Sequence, residues 1–235
     1  MAIAGIVAGG TGSRMGGGLP KQWRELGGKP VLIRTAEAFL QHPAVTDVII
    51  GIHPDWYQTA VEAAGRYFDG RVHITRGGSD RNDTVMQIVE YALGTLRCGK
   101  DTILLTHDAV RPFVTMAMID DSIAAMQDCM VCTAAIAATD TIVLSQDGTT
   151  VSDFPPRSSM YQVQTPQTFR AGQFAAVYQN LTPQEKAAVT DVCKLFERKG
   201  MVVRLIPGDR NNIKLTYPAD FIAAEAILKM KEENK

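Results

Sequence analysis

The densest chemistry in the chain lies in AGGTGSRMGGGLPK, residues 8 to 21, which continues directly from the apolar run AIAGIV. Its six glycines free the backbone so that successive N–H groups can converge on an anion, and a loop leaving a strand in this way commonly cradles phosphate. The spacing matches neither standard phosphate fingerprint. Lys21 is followed by Gln22 rather than Ser or Thr, and Met15 stands where a G-x-G-x-x-G beginning at Gly10 needs its third glycine. Arg14 and Lys21 add two cations, seven residues apart, able to reach a polyphosphate from different sides. A flexible surface turn is the plainer reading of so many glycines, but its place after the first strand and the two cations favour phosphate binding.

Two further clusters carry charge into otherwise apolar surroundings. In THDAVRP, residues 106 to 112, Asp108 falls at the end of an apolar strand. A single carboxylate meeting a triphosphate is the usual way to hold Mg2+ or another divalent cation, the phosphates and waters supplying the remaining oxygens. The bland alternatives are a helix cap or a salt bridge to Arg111. His107 alternates to the opposite face and reads as a hydrogen-bonded structural histidine. In NNIKLT, residues 211 to 216, Lys214 lies between Ile213 and Leu215, so an extended backbone points it away from both. Alone it would be an ordinary solvated lysine.

These groups need a scaffold to bring them together, and the rest of the chain supplies one. AIAGIV, DVIIGI, RVHIT, TILLTH and VCTAAIA read as strands, several apolar enough to be buried on both faces. Between them PVLIRTAEAFLQ, DWYQTAVEAAGRYF, DRNDTVMQIVEYALGTL and TMAMIDDSIAAMQ repeat apolar residues at helical spacing. The alternation predicts an α/β fold, a Rossmann-like, mostly parallel sheet flanked by helices, with ligands beyond the carboxyl ends of its strands. The rhythm breaks over residues 139 to 168, where QDGTT and a Pro-Pro pair predict a β-hairpin arm leaving the sheet. Helical patterns return with AGQFAAVYQN and PQEKAAVTDVCKLFERKG, followed by a strand MVVRLI, the loop PGDRNNIK and a last helix from about Pro218, with KMKEENK expected to fray. Residues 1 to 235 read as a single domain.

Composition narrows the partners. Twenty-four Lys and Arg against 25 Asp and Glu leave a net charge of −1, which provides no general field for nucleic acid or anionic lipid. The longest nearly apolar stretch, CMVCTAAIAA, is far short of the roughly 20 residues that span a bilayer. No basic leader precedes the first strand, so a cytoplasmic location is expected. Four cysteines are too few for a disulfide scaffold, and the CxxC formed by Cys129 and Cys132 reads as filler in a buried strand rather than a metal or redox site.

Taken together, AGGTGSRM, LPKQ, GGSDRNDTV, THDAVRP, DTI, QTPQTF, TDVCK and NIKLT resemble the cytidylyltransferases that act on sugar-alcohol phosphates. That family, of nucleotidyltransferase fold, includes ribitol-5-phosphate and 2-C-methyl-D-erythritol 4-phosphate cytidylyltransferases. The likeness runs from residue 3 to about 228, and HDAVRPF, MYQVQTPQTF, YQNLTPQEK and TDVCK look more like the ribitol branch. The resemblance implies attack by a polyol phosphate on the α-phosphate of CTP, releasing pyrophosphate. For the ribitol branch the product is CDP-ribitol, a precursor of teichoic acid or capsule. By matching position it implies that Ala8, Gly9, Gly10 and Gly12 hold the nucleotide phosphates and that Arg14, Lys21 and Lys214 stabilise the charge at phosphorus. Gly78, Ser79, Arg81 and Thr84 would serve the nucleotide, and Asp108 would hold Mg2+. Arg111, Thr141, Arg157, Thr165 and Thr190 match positions near the sugar phosphate. Relatives pair as homodimers through the arm, so a neighbour's Arg157 would complete each site. A methylerythritol phosphate substrate, another nucleotide such as UTP, and a non-catalytic nucleotide-binding protein are the competing readings; the last is disfavoured by the presence of Lys21, Asp108 and Lys214.

Overall fold

The computed structural model describes residues 2 to 10 and 19 to 233. In chain order its elements are β1 (Ala2–Ala8), β2 (Glu25–Leu26), β3 (Lys29–Pro30), α1 (Val31–Leu40), β4 (Val45–Ile52), α2 (Tyr57–Tyr67), β5 (Val72–Arg76), α3 (Arg81–Glu90), β6 (Ile103–Asp108), α4 (Met116–Ala125), β7 (Val131–Ala137), β8 (Tyr161–Arg170), α5 (Ala171–Gln179), α6 (Pro183–Ala187), α7 (Val192–Arg198), β9 (Val203–Pro207) and α8 (Pro218–Glu233). Seven strands form one sheet in the order β5-β4-β1-β6-β8-β7-β9, while β2 and β3 pair separately. Every neighbouring pair in the main sheet is parallel except those made by β8, which runs against β6 and β7.

The period of two in β1 shows why the sheet is central. Ala2, Ala4 and Ile6 face a core that includes Leu32 and Phe39 of α1 and Ile119 of α4. Ile3 faces the other way, into a core with Val85 and Ile88 of α3, Phe174 of α5 and Phe196 of α7. Each fully buried Ile, Leu, Val or Phe among them contributes about 1.5–3 kcal/mol, so both faces are held by helices and neither tolerates a register slip. A third, smaller core joins Leu26 and Val31 to Val110, Phe113, Leu215 and Ala224. It ties α8 and the segment before it to the chain just beyond β6. None of the described helices is long and apolar enough to cross a membrane.

Three sequence expectations change. The arm was read as reaching 168, but β8 begins at Tyr161 and belongs to the main sheet, pairing Ala137 with Tyr161 and Leu104 with Phe169. Between β7 and β8 the chain forms no regular hairpin; a single bridge joins Leu144 and Asp153 around an Asp147 turn. Residues 183 to 200 read as one helical pattern, yet α6 and α7 are separate because Asp191 accepts from Lys194 N and starts a new helix there. Third, the part of KMKEENK expected to fray is helical as far as Glu233, where α8 ends, and its last two residues lie outside the described ones.

Candidate active site

The carboxyl ends of β1, β4, β5 and β6 border a cavity of about 750 Å³. Its lining includes Ala8, Gly9 and Gly10 after β1, His53 and Pro54 after β4, Gly77 to Arg81 between β5 and α3, Asp108 and Ala109 at the end of β6, and Lys21 and Lys214 from outside the sheet. Asp108 reaches this edge beside the glycine segment because β6 is the direct neighbour of β1, with Val7 opposite Asp108.

Asp108 is the electrostatic centre. Lys214 Nζ lies 2.9 Å from its Oδ2, Arg111 Nε 3.4 Å from the same oxygen, and Arg81 Nε 3.5 Å from Oδ1. Burial alone would raise its pKa, but the surrounding Arg81, Lys214 and Arg111 hold the carboxyl well below the usual carboxylate range. It is therefore an anion throughout the neutral range and no general acid. Three cations and one carboxylate leave a local excess of two positive charges beside the cavity. The salt bridge to Arg111, which the sequence offered as an alternative to a site role, is part of the site.

Several buried groups fix this arrangement. Thr165 Oγ1 accepts from Asp108 N and meets His107 Nδ1, while His107 Nε2 contacts the Arg111 carbonyl at 2.9 Å. His107 is fully buried, and burial pushes its pKa down to about 4, so it serves structure as a neutral ring. Lys214 is placed from both sides. Leu215 N donates to Val110 O, and Asn212, fully buried, donates to the Thr165 carbonyl and accepts Arg111 Nη1 on its own. Gln164 in turn holds Asp209 by both backbone groups. Ile213 and Leu215 pack into the third core while Lys214 turns to Asp108, as their alternation predicts.

On the other wall, Thr84 is a scaffold more than a contact surface. Its hydroxyl donates to Asp80 O and accepts from Gly78 N. A Cβ on Gly9 would lie 2.9 Å from Thr84 Oγ1, and one on Gly78 would lie 2.2 Å from Asp83 Cβ, so the chain must be glycine at both positions. Ser79 donates to Asp83, which also takes the Tyr178 hydroxyl. Those two hydrogen bonds lower the Asp83 pKa.

Of the residues singled out in the sequence, Ala8, Gly9, Gly10, Lys21, Gly78, Ser79, Arg81, Thr84, Asp108 and Lys214 come together around the cavity. Gly12 and Arg14 lie outside the described residues. None of the sugar-phosphate set lines this cavity. Thr165 is buried and engaged by Asp108 N and His107, Arg111 is tied to Asp108 and Asn212, and neither lines the cavity. Thr141 and Arg157 are exposed on the arm. Thr190 is exposed on a segment that Asn82, next to Arg81, grips through Val189 O. Sequence reasoning gave no role to Gln22, Asn212 or His53, and it set Gln164 beside the polyol chain, whereas the structure engages it with Asp209 and Asn212.

A metal held by protein alone has no seat here, since the described residues contain no group of three or more His, Cys, Asp or Glu suited to one. Asp108 Oδ1, which Arg81 Nε approaches at 3.5 Å, fits the other mode, in which one carboxylate shares a divalent cation with substrate phosphates.

A family model described as 2-C-methyl-D-erythritol 4-phosphate cytidylyltransferase matches residues 2 to 230. A ribitol-5-phosphate cytidylyltransferase of Streptococcus pneumoniae (strain Hungary19A-6) is 41% identical over 232 residues, covering 97% of this chain and 99% of its own. Among solved structures, a 4-diphosphocytidyl-2C-methyl-D-erythritol synthase from Anaerococcus prevotii DSM 20548 superposes with a TM-score of 0.78 at 26% identity, over 97% of this chain and 96% of that one. Another 4-diphosphocytidyl-2C-methyl-D-erythritol synthase superposes with a TM-score of 0.79 at 27% identity, covering 97% and 98%.

Proposed function

This chain belongs to the 2-C-methyl-D-erythritol 4-phosphate cytidylyltransferase family, and from that premise we propose that it joins CTP to D-ribitol 5-phosphate, giving CDP-ribitol and pyrophosphate. One observation carries the reading. Lys21, Arg81, Lys214 and Asp108 converge with the glycine segment on one cavity, in a chain 41% identical to a ribitol-5-phosphate cytidylyltransferase.

The chemistry is the meeting of two anions. An oxygen of the polyol phosphate forms a bond to the α-phosphorus of CTP, the bond from that phosphorus to the bridging oxygen breaks, and pyrophosphate leaves with the electron pair. No proton need be removed from an ionised phosphate, so neutralisation and alignment are the main tasks. The backbone at Gly9 and Gly10 faces the cavity, and Lys21 and Lys214 approach it from two elements. Lys214 starts on Asp108, so the carboxylate parks the cation beside the place where negative charge develops. A divalent cation held by Asp108 and the nucleotide phosphates would supply further neutralisation of that charge.

The ribitol phosphate contacts are assigned to Thr190 and to Arg157 and Thr141 of a second copy's arm. Exposed Val143, Leu144, Val151 and Phe154 on the arm support such a homodimer, because apolar groups of that size are ordinarily covered. Dependence on CTP supports a cytoplasmic location, and the product suits synthesis of a ribitol-containing wall or capsule polymer. The test is pyrophosphate release with each nucleoside triphosphate, Mg2+ and each polyol phosphate. Turnover requiring CTP and favouring ribitol 5-phosphate over methylerythritol phosphate by roughly 10²-fold in kcat/KM is expected, since a hydrogen-bonding site strongly rejects an analogue lacking a matching hydroxyl. Reversed preference would overturn the substrate, and no release with any pair would overturn the reaction.

A further inference from the structure

Gln22 stands apart from every group discussed above. It is only 2% exposed, it lies in the short 3-10 turn Lys21–Trp23, and its amide nitrogen donates to two carbonyls at once, Ala8 O at 3.2 Å and Gly10 O at 3.1 Å. Those carbonyls flank Gly9, at the point where the chain leaves β1. Gln22 and its neighbour Lys21 both line the cavity.

A buried side-chain amide with both hydrogens given to one two-residue step is an unusual commitment for a residue whose only task is packing. Within a trans peptide the C=O and N–H point in opposite directions. Drawing the Ala8 carbonyl toward Gln22 therefore turns the Gly9 N–H away from Gln22. Thr84 closes from the other side, with its Oγ1 so near that a Cβ on Gly9 would lie at 2.9 Å. Gly9 is thus held between a donor that orients its peptide and a hydroxyl that limits its position.

We infer that Gln22 is a positioning residue that presets the anion-binding backbone after β1 and ties it to Lys21, so that N–H groups and ammonium address one phosphate chain. This deepens the proposed nucleotidyl transfer and rests on that reading of the cavity. Its amide nitrogen is taken up by the two carbonyls, so its effect on a bound anion runs through the backbone and through Lys21. Binding of any linear polyphosphate should depend on it, including one that lacks base and sugar. A site whose donors are preset loses less freedom on binding, and small misplacement of a charged group is costly in the transition state.

The discriminating variant is Gln22→Met, which keeps length and burial but removes both donors. Gln22→Asn, which keeps the amide but is shorter by one methylene, serves if the methionine variant does not fold. Binding of inorganic tripolyphosphate is followed by titration calorimetry, alongside thermal unfolding and steady-state kinetics. The expected result is a cooperative unfolding transition, tripolyphosphate Kd and CTP KM raised about tenfold, kcat lowered by a similar factor, and polyol phosphate KM within twofold of wild type. A purely structural role would lower the unfolding temperature and leave the tripolyphosphate Kd unchanged, and that outcome overturns the inference. If wild type binds tripolyphosphate more tightly than the variant yet releases no pyrophosphate from CTP, the positioning role is supported and the proposed reaction is refuted. If wild type turns CTP over and the variant matches it in both CTP KM and tripolyphosphate Kd, the reaction stands and the positioning role falls.

Discussion

Asp108→Asn removes one charge and almost no volume, which separates the two things that the carboxylate does. It restrains three cations at 2.9, 3.4 and 3.5 Å, and in the proposed reaction it would offer one oxygen to a divalent cation shared with substrate. A carboxylate about 6 Å from a bound phosphate, at an effective dielectric of about 20, repels it by roughly 2.8 kcal/mol. The cavity is open to water, and screening reduces this to about half, a factor of roughly ten in affinity. The variant should therefore bind inorganic tripolyphosphate about tenfold more tightly in metal-free buffer, as measured by titration calorimetry. Its kcat with CTP and Mg2+ should fall at least roughly 10²-fold, as expected when one preorganised charged group is lost from a reaction of anions. Folding stability should fall as well. Breaking a buried ion pair costs about 3–5 kcal/mol, but Lys214, 41% exposed, can turn to water while Arg111 and Arg81, at 11% and 22%, cannot do so freely. A loss of about 2–3 kcal/mol in urea unfolding follows. Metal-free tripolyphosphate binding that is unchanged or weaker would refute the picture of an anion site tempered by one carboxylate.

Lys21→Ala should leave thermal unfolding within a few degrees and lower kcat by roughly 10²-fold, because the residue is at the cavity and outside the three cores; near wild-type kcat would remove Lys21 from the chemistry. His107 is neutral and buried with its pKa near 4, below its unfolded value of about 6.5, so its contribution is present above pH 6.5 and is lost as pH falls toward 4. Unfolding free energies from urea titrations at pH 7, 5.5 and 4.5 should fall by up to about 1.4 kcal/mol per pH unit from this group, and a conservative His107→Gln variant should show the shallower slope; equal slopes would count against the assignment. Sedimentation should find a dimer at micromolar concentration, weakened by Phe154→Lys, whose native side chain is 66% exposed in one chain; a fully active monomer would exclude both the arm interface and a shared Arg157.

The sheet was readable because its signals are local. VCTAAIA coincides with β7, and the alternation around Lys214 foretold which way that side chain turns. The break before α7 had a local signal too, Asp191 three residues before Lys194, but the apolar pattern running through it concealed the cap. The arm was overextended because QVQTPQTF has strand composition and gives no clue that its partners are β6 and β7. The site divides in the same way. Glycines and lysines announce themselves by type, whereas Gln22 and Asn212 acquire their roles from carbonyls 14 and 47 residues away, and no periodicity reports such a partner.

The insertion of β8 against the grain gives the molecule a seam. On one side, β5, β4, β1 and β6 bring their ends to the nucleotide cavity; on the other, β8, β7 and β9 carry the arm between them. Because β8 runs backwards, its first half brings Gln164 and Thr165 to the edge where the parallel strands finish, and there they meet Asn212 and Asp108. The two halves of the sheet can thus diverge at different rates. On the proposed assignment of acceptor contacts to the arm and the turn before α7, an ancestral enzyme could exchange its acceptor there and leave the cavity of the other half untouched. Chimeras cut on either side of the β6 to β8 boundary would exploit the same division, provided the buried amides that stitch it are moved as a set.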